Sequence, residues 1–232
     1  ARGADEYREA LTDGLAVAQE VHALLRTREM AVADDAATVD TEKCVLCLTC
    51  LRVCPHGAVR IDVPNSAASI SAVSCRRCGI CAAECPAKAI VLPIFTDEQV
   101  DADAGGAADL VIFACENSAL PAADTAVQQG LAYDARVRLV RVPCAGRVDP
   151  RTVLAALQAG AARVLVLGCH PESCQYLSGS TRARKRIGAL QAMMTQAGLD
   201  ASRVSFGGIA APEPGRFAEF VHGTRAATPA GA

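Results

Sequence analysis

Eight of the twelve cysteines in the chain form two copies of one spacing. In each copy, two residues separate three successive cysteines, and a fourth cysteine follows after three more residues, directly before a proline. The two copies are Cys44, Cys47, Cys50 and Cys54 with Pro55, and Cys75, Cys78, Cys81 and Cys85 with Pro86. This spacing is typical of a small fold that holds two 4Fe-4S clusters, because three closely spaced thiolates bind one face of a cubane.

The fourth cysteine of each copy is expected to bind the cluster of the other copy, as in two-cluster ferredoxins. The predicted ligand sets are therefore crossed: Cys44, Cys47, Cys50 and Cys85 for the first cluster, and Cys75, Cys78, Cys81 and Cys54 for the second. Structural zinc and disulfides are the competing interpretations. Zinc sites usually pair two Cys-x-x-Cys units over a longer gap. Disulfides need an oxidising compartment, and no signal segment precedes the motifs.

Length and composition predict a cytoplasmic protein of more than one domain. The 232 residues suffice for two cores, and the net charge of -2 gives no reason to expect nucleic acid or an anionic membrane as a partner. No apolar run approaches the roughly 20 residues that span a bilayer, so direct membrane insertion is not expected. Ala1 in place of a methionine suggests a processed product or a fragment of something longer.

The first part of the chain, 1–38, is predicted to be a helix and a linker. The helix ends near Thr27, and the linker contains Asp34 and Asp35. Apolar residues at helical spacing give the helix one apolar face: Leu11, Leu15, Ala18, Val21 and Leu25. Because a single helix cannot bury such a face alone, this part is interpreted as the tail of a missing upstream flavoprotein domain.

The second part, 39–95, is predicted to be an α+β dicluster ferredoxin domain. It consists of strand, cluster helix and strand, and then the same again, in a repeat of about thirty residues. Strands are predicted at 58–63, 68–73 and 90–92. Arg76 and Arg77 lie inside the second motif. Their positive charge either raises the potential of the second cluster, or they are ordinary solvated arginines of a surface turn.

The third part, 96–232, alternates apolar runs with helical segments, which predicts an α/β domain with a parallel four-stranded sheet. Asp149 is the expected N-cap of one helix, and Gly160 its end. A second helix is expected from about Thr181 to Ala197. The predicted strands are 110–114, 137–142, 164–167 and 204–206, and the predicted buried face of the second helix is Ile187, Leu190 and Met194.

The remaining four cysteines are expected at one edge of that sheet. Cys115, Cys144 and Cys169 each follow a predicted strand, and Cys174 lies in the loop after Cys169. Because the carboxyl ends of parallel strands share one edge, the four thiols can converge there. Such a set suits a 2Fe-2S cluster or tetrahedral zinc. It is also compatible with plain core or redox-active cysteines, since free cysteine packs as a small hydrophobe.

Two segments of the chain resemble known families. The stretch 144–150 (CAGRVDP), followed by 168–176 (GCHPESCQY), is similar to the iron-sulfur delta subunit of methyl-viologen-reducing hydrogenases. The residues Ala1, Arg2 and Gly3, with the helix and the double cluster motif after them, resemble the carboxyl-terminal end of the flavoprotein A subunit of heterodisulfide reductase. The chain therefore resembles the tail of a fusion of these two proteins.

The resemblance implies that Cys115, Cys144, Cys169 and Cys174 hold a 2Fe-2S cluster. It also implies electron transfer between a hydrogenase or formate dehydrogenase-type partner and a flavin, in a multisubunit oxidoreductase that bifurcates electrons. FAD is then expected on the missing upstream domain or on a partner. The segment 115–117 (CEN) is instead similar to the B subunit of the quinone-interacting oxidoreductase of sulfate reducers. The alternatives are the tail of such a subunit, or a dicluster ferredoxin fused to a zinc-stabilised docking domain.

No catalytic residue is predicted, since the chain has no glycine-rich dinucleotide loop, no phosphate-binding loop and no Ser/His/Asp arrangement. Substrate turnover is therefore expected on other domains or subunits. Arg147 is expected either to tune the third cluster or to pair with Asp149. His170 is expected to contact that cluster or to be a packing histidine. The basic run 182–186 either docks an acidic partner or forms a solvated helix face.

Overall fold

The computed structural model describes residues 7–27, 35–131 and 136–223. The predictions for Ala1 to Gly3, for Asp34 in the linker and for the chain after residue 223 lie outside these residues. In chain order the elements are α1 (Tyr7–Thr27), β1 (Thr38–Val39), α2 (Thr49–Val53), β2 (Val59–Asp62), β3 (Ala67–Ile70), α3 (Ile80–Glu84), β4 (Ile90–Val91), α4 (Asp97–Ala104), β5 (Ala108–Cys115), α5 (Ala119–Gln128), β6 (Val137–Val142), α6 (Pro150–Gln158), β7 (Ala161–Gly168), α7 (Gly179–Gln196), β8 (Val204–Gly208) and α8 (Pro214–Gly223).

The helix α1 is the described element of a first unit, which covers the chain up to residue 34. The helix ends at Thr27, so the helix predicted from the apolar spacing is confirmed. The residues of its apolar face are exposed: Leu11, Leu15, Ala18, Val21 and Leu25. Nothing among the described residues of this unit covers the face, as expected for a single helix. No helix among the described residues has both the length and the apolar character to cross a membrane.

The second unit begins with the predicted repeat of strand, cluster helix and strand. β1 pairs with β4 and β2 pairs with β3, both antiparallel. The two cluster helices, α2 and α3, each begin after a residue in the left-handed backbone region, Leu48 (φ 59°) and Gly79 (φ 75°). The two halves of the repeat therefore share a backbone turn as well as a cysteine spacing. The strands β2 and β3 are shorter than predicted.

This unit starts at Asp35, earlier than the domain start expected at residue 39. Ala36 and Ala37 are buried, and Thr38 pairs with Val91 in the two-residue β1–β4 ladder. A strand of two residues has no alternating pattern that a sequence can reveal. The domains predicted at 39–95 and 96–232 pack together into this one unit.

The second half of this unit is built on a parallel sheet of four strands in the order β6-β5-β7-β8. The predicted fold class, an α+β dicluster ferredoxin part followed by an α/β part, is confirmed. Alternate residues of β5 are buried on opposite faces. Val111 and Phe113 pack with α4, α6 and α7, whereas Ile112 and Ala114 pack with α5 and α8. Both faces are thus covered by helices, as parallel sheets require.

The helix ends follow the signals in the sequence. The Asp149 side chain accepts a hydrogen bond from the Thr152 N–H at 2.9 Å and caps α6. Gly160, with φ of 107°, ends the same helix. The helix α7 begins at Gly179, two residues before the predicted start. It buries the three side chains predicted for its inner face: Ile187, Leu190 and Met194.

Candidate iron-sulfur sites

The first site is a small pocket beside α2. Its lining includes all four cysteines of the first crossed set: Cys44, Cys47, Cys50 and Cys85. The rest of the wall is mainly apolar. Backbone N–H groups point at two of the sulfurs, since Ala68 donates to Cys44 Sγ at 3.5 Å and Ala89 donates to Cys85 Sγ at 3.3 Å. Four sulfurs, an apolar wall and N–H donors to sulfur fit a 4Fe-4S cluster, whose potential such donors tune.

The second site is more deeply buried. Burial raises the pKa of Cys78 to about 11, and the thiols of Cys54 and Cys75 act in the same direction. Burial likewise raises the pKa of Cys81 to about 12, with the same neighbouring thiols contributing. Cys54 from the first motif thus lies beside the three cysteines of the second. Because these thiols hold their protons near neutral pH, metal binding has to release them.

The third site collects the four remaining cysteines at the carboxyl edge of the parallel sheet. Cys115 is the last residue of β5, Cys144 follows β6, and Cys169 follows β7. Cys174 comes after a short 3-10 turn, Pro171–Ser173. All four are buried and belong to one cluster of packed side chains. The convergence predicted from the strand pattern is therefore observed.

The sulfurs of the third site lie close to one another. The Sγ atoms of Cys115 and Cys169 are 4.0 Å apart. Thiolates bound tetrahedrally to one metal at about 2.3 Å lie about 3.8 Å from each other, so this pair has the spacing of two ligands on one metal ion. Within the described part of the chain, no three or more His, Cys, Asp or Glu side chains meet the geometry of a site for a single metal ion.

Hydrogen bonds among these four thiols lower the pKa of two of them and raise the pKa of the other two. Bonds from Cys144 and Cys169 lower the pKa of Cys115 to about 3 and also lower the pKa of Cys174. The same bonds raise the pKa of Cys144 and that of Cys169. Four thiolates cannot share this buried space without positive charge, which metal ions supply.

A glycine of α7 leaves room for this sulfur cluster. A Cβ atom at Gly179 would lie 2.2 Å from Cys144 Sγ and 3.5 Å from Cys174 Sγ. The N-terminus of an 18-residue helix is therefore in contact with two of the sulfurs, where its partial positive charge favours thiolates. The Gly146 N–H also donates to Cys144 Sγ at 3.3 Å. Sequence analysis missed Gly179; its position five residues after Cys174, at the start of a helix, is the only signal available.

The second and third sites are in direct contact. Val53, Cys78 and Ile80 pack in the same buried cluster as the four cysteines of the third site. Two glycines permit the approach of the cluster-binding loops. A Cβ at Gly146 would lie 2.8 Å from Ile80 Cγ1, and a Cβ at Gly79 would lie 2.5 Å from Arg147 Cδ. The loop 78–81 therefore packs on the loop 144–147 without space between them.

Arg147 is almost completely buried at this contact, with 1% of its surface exposed. Its Nε and Nη2 donate to the Phe95 carbonyl at 3.1 and 2.9 Å, and Nη2 also donates to Asp97 at 2.6 Å. The predicted pairing with Asp149 is wrong, because Asp149 pairs with Lys88 instead. The charge of Arg147 is thus fixed against the Gly79 turn of the second cluster motif.

The basic run 182–186 is neither wholly solvated nor wholly free. Arg186 donates to Glu84 at 2.7 Å and to the carbonyl of Gly146 at 2.6 Å, and so ties α7 to α3 and to the third-site loop. Arg184 and Lys185 are exposed.

His170 Nε2 lies 3.2 Å from Glu213. This contact agrees with the packing interpretation of that histidine.

Two family models match the chain. Residues 36–87 match the 4Fe-4S dicluster domain, and residues 110–228 match the methyl-viologen-reducing hydrogenase delta subunit. The first matched range contains both cubane motifs, and the second contains all four cysteines of the third site. The double repeat and the parallel sheet therefore each coincide with a known family.

Curated relatives align with the chain as a whole or with about half of it. The A subunit of the ferredoxin:CoB-CoM heterodisulfide reductase of Methanosarcina mazei is 37% identical over 95% of this chain, which spans 28% of that relative's length. The iron-sulfur D subunit of the F420-non-reducing hydrogenase of Archaeoglobus profundus is 38% identical over 48% of this chain and 81% of its own length. Nearly the whole chain thus aligns within a single polypeptide of the first relative.

Proposed function

We propose an electron-relay function for this chain, which belongs to the methyl-viologen-reducing hydrogenase delta-subunit family and carries in addition a 4Fe-4S dicluster domain, as the A subunit of heterodisulfide reductase does. Its relatives are subunits of oxidoreductases, and the chain is an iron-sulfur component of the same kind. The relay would pass single electrons along the three sites in order. Substrate turnover would take place elsewhere in the complex.

The observation that carries this proposal is the packing of the second site on the third. The loops 78–81 and 144–147 touch through Gly79 and Gly146, and Cys78 of the second site lies in one buried cluster with the four cysteines of the third, with Cys81 packed against it. Clusters bound there would supply one-electron transfer. The residues of the chain hold the two sites at a fixed separation and keep water out, since Cys115 and Cys144 are each 1% exposed.

The proposed ligands are those predicted from the sequence. Two 4Fe-4S clusters would be held by the crossed sets, Cys44, Cys47, Cys50 and Cys85 for one and Cys75, Cys78, Cys81 and Cys54 for the other. A 2Fe-2S cluster would be held by Cys115, Cys144, Cys169 and Cys174. The cavity lined by the first set supports this assignment, as do the neighbouring thiols in the second site and the space left by Gly179 in the third.

The remaining proposals concern the larger assembly. The chain spans 28% of the M. mazei relative, and we place FAD, and the splitting of electron pairs, on another part of that kind of protein or on a partner. A hydrogenase subunit is the preferred partner, because relatives over half of the chain are named as hydrogenase subunits. A formate dehydrogenase-type subunit is the alternative. We place the chain in the cytoplasm, because thiols that serve as cluster ligands need a compartment that keeps them reduced.

The test is metal analysis of anaerobically prepared protein. Three clusters correspond to about ten iron and ten sulfide per chain. The variant Cys169→Ser should reduce both to about eight and leave the EPR signals of the reduced cubanes unchanged. The exposed Ser173 lies between Cys169 and Cys174, so Ser173→Ala is a matched control and should keep all ten. About eight iron with one zinc in the unsubstituted protein would refute the relay, and would make the third site a zinc-stabilised docking domain.

A further inference from the structure

A solvent-filled groove of about 720 Å³ opens beside the second and third sites. We call it the cluster-side groove; its lining residues are His56, Arg76, Arg77, Gln175, Tyr176 and Leu177. It adjoins a second open cavity, which shares Arg76, Arg77 and Tyr176 with it. The His56 ring packs edge-on against Tyr176, with ring centres 5.9 Å apart, so the floor of the groove joins the two halves of the unit.

Every lining residue stands within three positions of a proposed cluster ligand. His56 follows Cys54, Arg76 and Arg77 lie between Cys75 and Cys78, and residues 175–177 follow Cys174 directly. Cys174 is also the most exposed cysteine of the third site, at 8%, whereas Cys115 and Cys144 are at 1%. The groove is therefore lined by residues that are close in sequence to ligands proposed for both sites.

The lining of the groove is positively charged. It contains two arginines and neither aspartate nor glutamate. Arg77 is paired with Asp35 at 2.7 Å. Arg76 is exposed and makes no hydrogen bond or ion pair with any residue of the described ranges. In the adjoining cavity, Glu116 is already paired with Arg141. Among the described residues the charge of Arg76 has no partner, and it favours an acidic one.

The groove is also lined by an exposed apolar side chain, that of Leu177. Leu177 is 66% exposed and has φ of 57°, in the left-handed backbone region. A leucine adopts this backbone region only at an energetic cost. The turn is fixed by the Leu177 N–H, which donates to the Cys174 carbonyl at 2.9 Å. An exposed apolar residue in a strained turn next to a basic residue is an anchor suited to a protein interface.

We propose that the cluster-side groove is the docking surface for the acidic face of a redox partner protein. Arg76 would steer and pair with carboxylates of that face, and Leu177 with Tyr176 would pack against an apolar residue at its centre. This inference rests on the proposed function, because it assigns the groove to the exchange of electrons with the nearby sites. It names a surface that the cysteine motifs themselves do not identify.

The test measures binding, with the full cluster-containing chain and an acidic flavodoxin as the probe. Arg76→Glu should weaken binding at least tenfold at low ionic strength, and the salt dependence of the association rate should become shallower. Arg60 on β2 is exposed and lies outside the groove, so Arg60→Glu is the matched control and should change binding less than twofold. Binding of a basic cytochrome should instead become tighter in Arg76→Glu.

A second variant separates loss of the docking surface from damage to the neighbouring cluster. Leu177→Asn suits the left-handed turn and removes the apolar anchor, so it should weaken flavodoxin binding about fivefold or more while the iron content stays unchanged. Equal effects of Arg76→Glu and Arg60→Glu would overturn the proposal, as would binding that millimolar phosphate abolishes, since the groove would then be a small-anion site. Zinc in the third site with intact Arg76-dependent binding would refute the relay and leave the docking surface standing. Ten iron per chain without flavodoxin binding would refute the docking surface and leave the relay standing.

Discussion

Gly179→Ala should remove the third metal centre and leave both cubanes in place. The added Cβ would lie 2.2 Å from Cys144 Sγ. Ordinary van der Waals contact begins near 3.4 Å, so the sulfur or the start of α7 would have to move by about 1.2 Å. Metal–ligand distances tolerate only about ±0.2 Å. Because Ile187 and Leu190 hold α7 in the core, we expect the sulfur to move, and a displacement of this size is incompatible with Cys144 as a ligand.

The assay is iron and sulfide per chain, with EPR of the reduced protein. We expect about ten of each in the unsubstituted chain and about eight in Gly179→Ala, with the cubane signals unchanged. Gly188 is the matched control, because it lies in the same helix, is exposed, and has no atom within 4 Å of the place that a Cβ would occupy. Gly188→Ala should keep all ten and gain about 1 kcal/mol from helix propensity, which raises Tm by about 2–4 °C in a chain of this size.

Full iron and sulfide in Gly179→Ala would refute the reasoning, since the four sulfurs would then not close around the start of α7. Loss of cubane iron together with third-site iron would also contradict it. That result would mean that the substitution disrupts the whole unit. Only a selective loss agrees with a metal centre built against Gly179.

Further predictions concern the contact between the sites and its charged flank. Gly57 has positive φ and open space around it, so Gly57→Ala should cost only the backbone strain, about 1 kcal/mol, whereas Gly79→Ala should cost about 3 kcal/mol because its methyl group also meets Arg147. An Arg147→Ala background removes the Cδ contact at 2.5 Å and leaves the Cβ contact at 3.0 Å, so thermal unfolding should show a smaller difference between the two costs; an undiminished difference would contradict the contact. Burial acts to raise the pKa of Asp149, but hydrogen bonds from Lys88 and from the backbone outweigh it and hold the pKa below its usual range. This carboxylate therefore stabilises the fold above the unfolded pKa of about 3.9, and the contribution is lost as pH falls through the lower folded value. Asp149→Asn keeps the helix cap and loses the ion pair, so its stability deficit at pH 7 should be about 1 kcal/mol smaller than that of Asp149→Ala and should shrink below about pH 4; a deficit that is constant with pH would argue against the ion pair.

Much of the candidate site could be predicted because its signals are local. Cluster ligands must sit at fixed spacings around a cubane, so the eight-cysteine pattern indicated both crossed sets, and the cavity that joins Cys85 to the first motif agrees with them. The third site was predictable from strand ends, since parallel strands bring their carboxyl termini to one edge. These arguments need only the order of residues along the chain.

The parts that escaped prediction are contacts between distant segments. Gly179 touches Cys144, and Gly79 touches Arg147, across an interface whose register no periodicity encodes. A glycine has no side chain to mark it in a pattern, so its role emerges only where another segment approaches. The alternative that paired Arg147 with Asp149 failed for a related reason, because Asp149 is near in sequence whereas Phe95 and Asp97 are near in space.

The crossed arrangement of the cubane cysteines bears on how the protein is made. On a ribosome, the proposed ligand set of the first cluster stays incomplete until Cys85 has emerged, and that of the second stays incomplete until Cys81 has emerged. The third set spans Cys115 to Cys174, and it closes only when β5, β6 and β7 have paired and α7 has begun. A 2Fe-2S cluster at the third site could therefore be delivered only after the start of α7 has emerged, whereas a nascent chain stalled before Cys81 would offer thiols but no complete cubane site.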